Sequence, residues 1–335
     1  MKHDRPKISD VARMAGVSTA TVSRTLSNPG LVSEETRAAV QAAVEATGYR
    51  PNLAARNLRH RRTGGIVALV PNLANPFFSQ ILSGIASVLG PAGYNLLIAD
   101  TRAAGAETLL DYAEPSRADG LIILDGTLPA DALQGRVPVV EACEWVPGLP
   151  APRVKIDNRA AAGMAINHLA DLGHRRIGLV NGLEFMDFAI RRRSGYEDAL
   201  GAAGIAVDPS ILASDEMTET AGFRAMQTML ALPVPPSAIV VSSMLMALGV
   251  RRAIEKNGLK LGRDISVITH DDELSYLRNG DDVPIFTATR SSVREAGRQA
   301  ADMLLSIISG KAAGPIERLL EAELIIGQST GPFKG

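Results

Sequence analysis

Hydrophobic residues recur along the chain with two different periods, and the period changes near residue 64. Before residue 50 the apolar positions lie three or four residues apart, which predicts short amphipathic helices. After residue 65, short unbroken apolar runs alternate with helical patterns. Strands made of unbroken apolar runs are typical of parallel sheets that helices cover on both faces. We therefore predict a small all-α domain followed by a large α/β domain.

The α/β region contains two successive series of strand and helix patterns. Two series indicate two doubly wound parallel sheets, and ligands bind such folds at the carboxyl ends of the strands or between subdomains. The stretch 101–115 contains Gly105 and Pro115, which predict a weakened helix. The predicted strands are 66–70, 96–99, 121–124, 137–140, 177–180, 238–241, 265–269 and 323–326. One predicted helix begins at Pro76, and another ends at Leu200. The others span 160–172, 221–232, 245–257 and 293–308.

Two short predicted helices meet at Gly16, which supplies a tight turn that a residue with a Cβ resists. Ser9 is the candidate N-cap of the first helix and Ser18 that of the second. The second helix directs Val22 and Leu26 inward. The side chains on its outer face are short except for one arginine, as a helix lying in the DNA major groove requires. That face carries Ser18, Thr19, Ala20, Thr21, Ser23 and Arg24. An ordinary helical hairpin with a solvated outer face would show the same pattern.

A third predicted helix begins after Ser33 and ends at Gly48. Pro51 forbids helix immediately before it, and Asn52 could cap a following segment of about two turns. Such a segment is too short to stay helical by itself in water. A basic run at 59–62 follows. The segment is either a solvated linker or a piece of chain that folds only on DNA.

Charge is divided unequally between the two predicted domains. Residues 1–62 hold eleven basic and five acidic residues, a net charge of +6, whereas the rest holds 24 and 31, a net charge of −7. A basic small domain on an acidic large one suggests a polyanionic partner for the small domain. The single cysteine, Cys143, excludes an intramolecular disulfide and fits a reducing compartment. Together with the lack of a signal-peptide or membrane-spanning pattern, it predicts a cytoplasmic protein.

The helix-turn-helix pattern, the stretch 32–37 and the Gly-Tyr-Arg-Pro-Asn stretch at 48–52 resemble the LacI/GalR (lactose/galactose repressor) family of bacterial transcription regulators. The resemblance covers nearly the whole chain. It implies a helix-turn-helix domain on a bilobal periplasmic-binding-protein-like core. It also implies a homodimer that binds a pseudo-palindromic operator in double-stranded DNA and a small-molecule effector, most simply a sugar or related metabolite. No cofactor, metal or membrane is expected.

The resemblance also suggests domain boundaries. The DNA-binding domain is expected at 1–50, the hinge helix and linker at 51–63, and the effector-binding and dimerisation domain at 64–335. Within the last, an N-subdomain of about 64–160 plus 291–322 and a C-subdomain of about 161–290 plus 323–335 are expected. Asn52, Ala55 and Leu58 would contact DNA from the hinge, with Leu58 wedged between base steps in the minor groove.

The effector cleft is expected, by the same resemblance, to be lined by Phe77, Phe78, Arg192 and Asp271. Either phenylalanine could equally be a core residue, and an arginine on a helix is often solvated. The remaining two expected positions depart from common family residues. They are Met217, where some relatives have an aromatic, and Ser243, which with Met244 replaces Asn-Asp or Gly-Asp. The missing carboxylate argues against a polyhydroxylated sugar as effector.

The competing function class is an enzyme or a solute-binding protein that uses the bilobal core. A solute-binding protein would carry an export signal and lack residues 1–62. An enzyme would show paired catalytic groups, which the sequence does not reveal. The run His-Asp-Asp-Glu at 270–273 could be read as a metal cluster, but no second histidine has ligand spacing.

Overall fold

The computed structural model describes residues 6–49, 62–75, 77–103, 111–133, 136–271, 283–311 and 317–335, and of Asp271 only the backbone. The chain forms two compact units, Met1–Arg61 and Arg62–Gly335. In the described part of the chain, no helix has the length and apolar character needed to cross a membrane.

The first unit is a bundle of three α-helices around a small apolar core. The helices are α1 (Ile8–Ala15), α2 (Thr19–Ser27) and α3 (Glu34–Thr47). Val11, Val22 and Val40, one from each helix, are completely buried together. Gly16 has a φ of 66°, so the turn between α1 and α2 uses the left-handed conformation that glycine adopts without strain.

The predicted cap of α1 is wrong. The N-cap is Lys7, and Ser9 lies within the first turn. The Asp10 carboxylate accepts the Lys7 backbone N–H at 2.9 Å. An acidic side chain in the first turn thus satisfies the backbone group that precedes the helix. Ser18 caps α2, as the sequence predicted, and Ser33 caps α3, which begins after it as predicted.

The second unit contains two six-stranded sheets, each covered by helices. The first sheet has the order β11-β5-β4-β3-β1-β2 and the second the order β12-β10-β9-β8-β6-β7. All neighbouring strands are parallel except β10 and β12. The strands of the first sheet are β1 (Gly65–Val70), β2 (Asn95–Asp100), β3 (Gly120–Ile123), β4 (Val139–Ala142), β5 (Arg153–Ile156) and β11 (Glu317–Leu320). Those of the second are β6 (Ile177–Asn181), β7 (Leu212–Ser214), β8 (Ala238–Val241), β9 (Ser266–Asp271), β10 (Thr287–Arg290) and β12 (Glu323–Ile325).

The helices of this unit pack on the two sheets in separate groups. The first sheet carries α4 (Phe77–Leu89), α5 (Ala130–Leu133) and α10 (Val293–Ile308). The second carries α6 (Asn158–Asp171), α7 (Asp187–Ala202), α8 (Glu219–Leu230) and α9 (Met244–Lys256). The chain therefore passes between the groups three times: from β5 to α6, from β10 to α10 and from β11 to β12. Each sheet with its helices forms one lobe of this unit, and three chain segments join the two lobes.

Four strands, β5, β7, β10 and β11, are absent from the predicted set because they lack an unbroken apolar run. β7 is short, β5 reads Arg-Val-Lys-Ile and β10 reads Thr-Ala-Thr-Arg. Only β12 was predicted among the short edge strands, whereas β11 alternates exposed and half-buried residues at the edge of the first sheet. The weakened helix expected at 101–115 falls largely on 104–110, outside the described residues.

Candidate functional site

The outer face of α2 is built from consecutive short side chains. Ser18, Thr19 and Ala20 are exposed, and Thr21 and Ser23 are half-buried. The Ser18 Oγ accepts the Thr21 backbone N–H at 3.1 Å and lies 2.9 Å from the Thr21 hydroxyl. Because these side chains are small, a phosphate can approach the N-terminus of the helix closely, where the helix dipole favours an anion.

Arg24 is the one long side chain among the predicted contacts on this face, and it is exposed. The other arginines described in this unit are paired, Arg13 with Asp10 at 3.0 Å and Arg37 with Glu34. In the described part of the unit, the Arg24 guanidinium makes no ion pair or side-chain hydrogen bond. It is therefore available to a guanine edge or a phosphate.

A cavity of about 650 Å³ lies between the two sheets of the second unit. This volume is within the range of roughly 300–1,000 Å³ that small-molecule sites occupy. The first-sheet side of its lining consists of Pro71, Asn72, Ala74, Asn75, Phe77, Phe78, Arg102, Leu124, Asp125, Thr127, Cys143, Glu144 and Ile156. The second-sheet side consists of Asn158, Leu183, Phe185, Met186, Phe188, Arg192, Asp215, Glu216, Met217, Thr218, Glu219 and Leu245.

Arg192 on α7 is buried, with 7% of its surface exposed. Its Nε donates to Asn158 Oδ1 at 2.9 Å, and its Nη1 donates to the Ser242 carbonyl oxygen. The close approach of α7 to α6 depends on Gly195, where a Cβ would lie 2.1 Å from the Arg159 carbonyl oxygen. These contacts fix the plane of the guanidinium at the cavity wall. A planar guanidinium in a fixed orientation suits hydroxyl, amide or carboxylate groups of a ligand.

Aromatic rings face the cavity from both sides. Phe77 and Phe78 pack edge to face, with ring centroids 5.1 Å apart and an angle of 83° between the planes. Phe78 also belongs to the core of the first sheet, whereas Phe77 is half-buried. On the opposite side of the cavity, the Phe188 ring centroid lies 5.2 Å from the Arg192 guanidinium. The rings provide apolar surface for the body of a ligand, and Arg192 provides a polar anchor.

The first sheet contributes a buried carboxylate at the end of β3. Asp125 is 4% exposed. Its Oδ1 accepts the Thr127 backbone N–H at 2.9 Å and the Thr127 hydroxyl at 2.6 Å, and its Oδ2 accepts the Thr101 hydroxyl. These hydroxyl and backbone N–H donors hold the carboxylate in place. Asp125 is therefore a fixed hydrogen-bond acceptor at the cavity wall.

Glu144 follows β4 and reaches across to α7. Its Oε1 accepts the Phe188 backbone N–H at 3.3 Å. Burial raises the pKa of Glu144 to about 7, and the charge of Asp187 acts in the same direction. The backbone N–H groups of α7 and the charge of Arg192 oppose this rise in pKa. Glu144 therefore contacts both sides of the cavity.

Two family models match the chain: "bacterial regulatory proteins, lacI family" over residues 7–52, and "periplasmic binding protein-like domain" over residues 166–330. The HTH-type transcriptional repressor CytR of Escherichia coli (strain K12) is 39% identical over 329 residues, which cover 96% of both chains. The chain belongs to the LacI family. It is a DNA-binding transcription regulator of that family, so the resemblance found in the sequence is confirmed.

Solved structures of LacI-family proteins have the same fold. The Lac repressor dimer bound to operator and the anti-inducer ONPF superposes with a TM-score of 0.81 at 28% identity, over 98% of this chain and 100% of the other. The CelR–cellobiose complex superposes with a TM-score of 0.72 at 29% identity, over 97% and 100%. The predicted fold class, a helix-turn-helix unit plus a core of two mostly parallel sheets, is confirmed.

Four of the cleft residues expected from the LacI resemblance come together at the cavity: Phe77, Phe78, Arg192 and Met217. Ser243 does not line the cavity. Its Oγ instead accepts the Met246 backbone N–H at 3.3 Å and caps α9, and this explains why it is turned away.

Three DNA-contact residues and one cleft side chain expected from the resemblance lie outside what the structure describes. Asn52, Ala55 and Leu58 belong to the first group. The backbone of Asp271 ends β9 opposite Arg290, but its side chain is not described. Among described residues, no group of three potential metal ligands comes together. His270 is buried beside Thr289, with ring Nδ1 and hydroxyl 3.2 Å apart, and burial holds its pKa well below the usual value.

The sequence prediction missed Asp125, Glu144, Asn158 and Phe188. Asp125 and Asn158 each come just after a strand, so the rule that ligands bind at the carboxyl ends of strands could have found them. Glu144 follows β4 by two residues, and its direction depends on a turn that no motif marks. Phe188 lies in the first turn of α7, and no sequence motif marks the start of that helix.

Proposed function

We propose that this protein is a homodimeric repressor that reads its operator with α2 and senses a small molecule in the cavity between its sheets. The observation that carries the proposal is the joint occurrence of an exposed Arg24 on α2, which has no ion pair among the described residues, and a buried, oriented Arg192 in a ligand-sized cavity. One surface is suited to DNA and the other to a polar metabolite. Because its partner is DNA, we place the protein in the cytoplasm.

The dimeric state is supported by the Lac repressor, whose structure is that of a dimer bound to operator. Two helix-turn-helix units related by a two-fold axis match a pseudo-palindromic site. In this proposal Thr19, Ala20 and Arg24 face base edges, and Ser18, Thr21 and Ser23 face phosphates. Asn52, Ala55 and Leu58 act from the hinge, with Leu58 inserted between base steps in the minor groove.

The effector we propose is a sugar or a related metabolite with hydroxyl, amide or carboxylate groups. CelR binds cellobiose, and the Lac repressor structure contains ONPF, so a carbohydrate class is represented among similar proteins. In the cavity, Arg192 and Asp125 supply oriented donors and acceptors, and Phe77, Phe78 and Phe188 supply apolar surface. We propose Asp271 as a further contact. Arg192, Asp125 and Glu144 are engaged in fixing the cavity walls, which suits binding rather than catalysis.

A thermal-shift screen of sugars, sugar acids, polyols and nucleobases on the full-length protein tests the proposal. A ligand that binds only the folded form raises stability by RT ln(1 + [L]/Kd), so a hit raises the midpoint of unfolding in a concentration-dependent way. Arg192→Ala should abolish the shift, whereas Arg193→Ala, on the neighbouring position, should retain it. A hit that shifts both variants equally would show that the ligand binds elsewhere.

A further inference from the structure

The first turn of α7 lacks the cap that its neighbouring helices have. α6, α8, α9 and α10 each begin with a side chain that accepts a backbone N–H three residues further on. These N-caps are Asp157, Thr218, Ser243 and Ser292. The N-cap of α7 is Met186, whose side chain makes no such bond. Because helix N–H groups near the start have no partner within the helix, α7 needs an acceptor from elsewhere.

Glu144 supplies that acceptor from the other sheet. Its Oε1 accepts the Phe188 N–H at 3.3 Å, and the backbone of Asp187 also stabilises the carboxylate. A carboxylate at a helix N-terminus is favoured by the helix dipole. The bond therefore joins the segment after β4 to the first turn of a helix on the opposite lobe.

The turn that carries Glu144 is itself fixed. Cys143 has a φ of 67°, the only positive φ of a non-glycine residue among those described. The Val146 N–H donates to the buried Glu141 Oε1 at 2.6 Å, and the Cys143 N–H donates to the Val154 carbonyl at 2.9 Å. A fixed turn in an unusual conformation aims the Glu144 side chain at α7.

A second contact joins the same two elements. The Arg191 guanidinium of α7 lies 4.8 Å from the centroid of the Trp145 ring. Lys155 and Arg153 approach that ring at 4.9 Å and 5.7 Å. Trp145 is the only tryptophan in the chain, so tryptophan emission reports on the surroundings of this one ring.

We propose that Glu144 is a positioning residue that caps α7 across the cleft and so ties the two lobes together. The same first two turns of α7 carry Phe188 and Arg192, so the cap also holds these cavity groups in place. The inference extends the proposed effector cleft, but the cap itself requires no effector and no DNA. It can therefore be tested even if the cleft binds nothing.

Amide hydrogen exchange by mass spectrometry on the ligand-free, full-length protein is the test. We expect exchange in residues 187–190 to be faster by at least about tenfold in Glu144→Ala and in Glu144→Asp, whose carboxylate is too short to reach. Glu144→Gln keeps an acceptor oxygen and should restore protection. Glu184→Ala, an exposed glutamate in the loop before α7, is the matched control and should not change it.

Trp145 emission gives the readout that a general loss of stability would not produce. It should shift in Glu144→Asp and return to the wild-type spectrum in Glu144→Gln, with both variants folded. Wild-type protection of 187–190 in a folded Glu144→Asp or Glu144→Ala would overturn the proposal. So would equal loss of protection in Glu144→Gln and Glu144→Asp. If these variants lose protection as expected but the ligand screen finds no hit, the effector cleft is overturned and the proposed cap stands.

Discussion

The two proposed functional regions of this protein, the outer face of α2 and the cavity, are built in opposite ways. The proposed DNA surface is one face of a single helix, on which Ser18 to Arg24 are near neighbours in sequence and exposed or half-buried. The cavity is assembled from separate segments of both sheets, and its central side chain, Arg192, is buried and hydrogen-bonded to Asn158 and Ser242. The first region needs only a stable helix behind it, whereas the second needs the whole unit.

This difference determines how each region should respond to mutation. On α2, removing an exposed side chain should change DNA affinity and leave stability unchanged. In the cavity, removing a buried side chain leaves its hydrogen-bond partners unsatisfied. Such a substitution should change stability as well as binding. The following predictions are in order of expected effect.

Arg192→Ala should have the largest effect. It leaves the Asn158 amide oxygen and the Ser242 carbonyl oxygen without their charged donor, and unsatisfied buried groups cost about 1–3 kcal/mol each. We expect the free energy of unfolding of the second unit to fall by about 2–4 kcal/mol, measured by urea denaturation. Arg193→Ala, which removes a half-exposed ion pair with Glu197, should cost no more than about 1 kcal/mol. Equal losses in the two variants would remove the contrast between cavity and surface.

Arg24→Ala should weaken operator binding by about 1–3 kcal/mol, because a guanidinium on a guanine edge is worth that much. Fluorescence anisotropy on operator and scrambled duplexes measures the effect. Arg13→Ala is the matched control, since that arginine is already paired with Asp10. Thermal unfolding should be unchanged in both variants. An equal loss on operator and scrambled DNA would show that Arg24 contacts phosphate only.

A smaller effect should come from the buried carboxylates near the cleft. Burial raises the pKa of both Glu141 and Glu144 to about 7 from an ordinary value of 4.5. Each favours the folded state most below about pH 4.5, and that contribution is lost as the pH rises through about 7. The midpoint of thermal unfolding should therefore fall between pH 5 and 8. This fall should be smaller in Glu141→Gln and in Glu144→Gln than in the wild-type protein. A pH profile of thermal unfolding that neither substitution alters would contradict the raised pKa of these two carboxyl groups.

The contrast also explains what could be predicted from the sequence. Local patterns were sufficient for the Ser18 cap, the turn at Gly16, the apolar positions of α2 and the start of α3 after Ser33. Each of these features depends on neighbours a few residues away. Unbroken apolar runs likewise predicted β1, β3 and β8, which are completely buried. Even here Ser9 was misplaced, because the backbone N–H before α1 is satisfied by Asp10.

The cavity was only partly predictable because its geometry depends on distant contacts. Arg192 was found through resemblance, but its orientation depends on Asn158, 34 residues earlier, and on a carbonyl 50 residues later. Ser243 appeared suited to the cleft, and only the three-dimensional arrangement shows that its hydroxyl caps α9. Glu144 had no local signal, since its partner is a backbone N–H 44 residues away.

The central claim is that occupancy of the cavity controls operator affinity. The most direct measurement is operator binding by anisotropy with and without a ligand found in the thermal screen, for wild type and Arg192→Ala. The account predicts a change in wild-type operator affinity of roughly 5–150-fold, corresponding to a coupling of about 1–3 kcal/mol. Arg192→Ala should lose this response and retain the operator affinity of the unliganded protein. A ligand that stabilises the wild-type protein but leaves its operator affinity unchanged would contradict the claim.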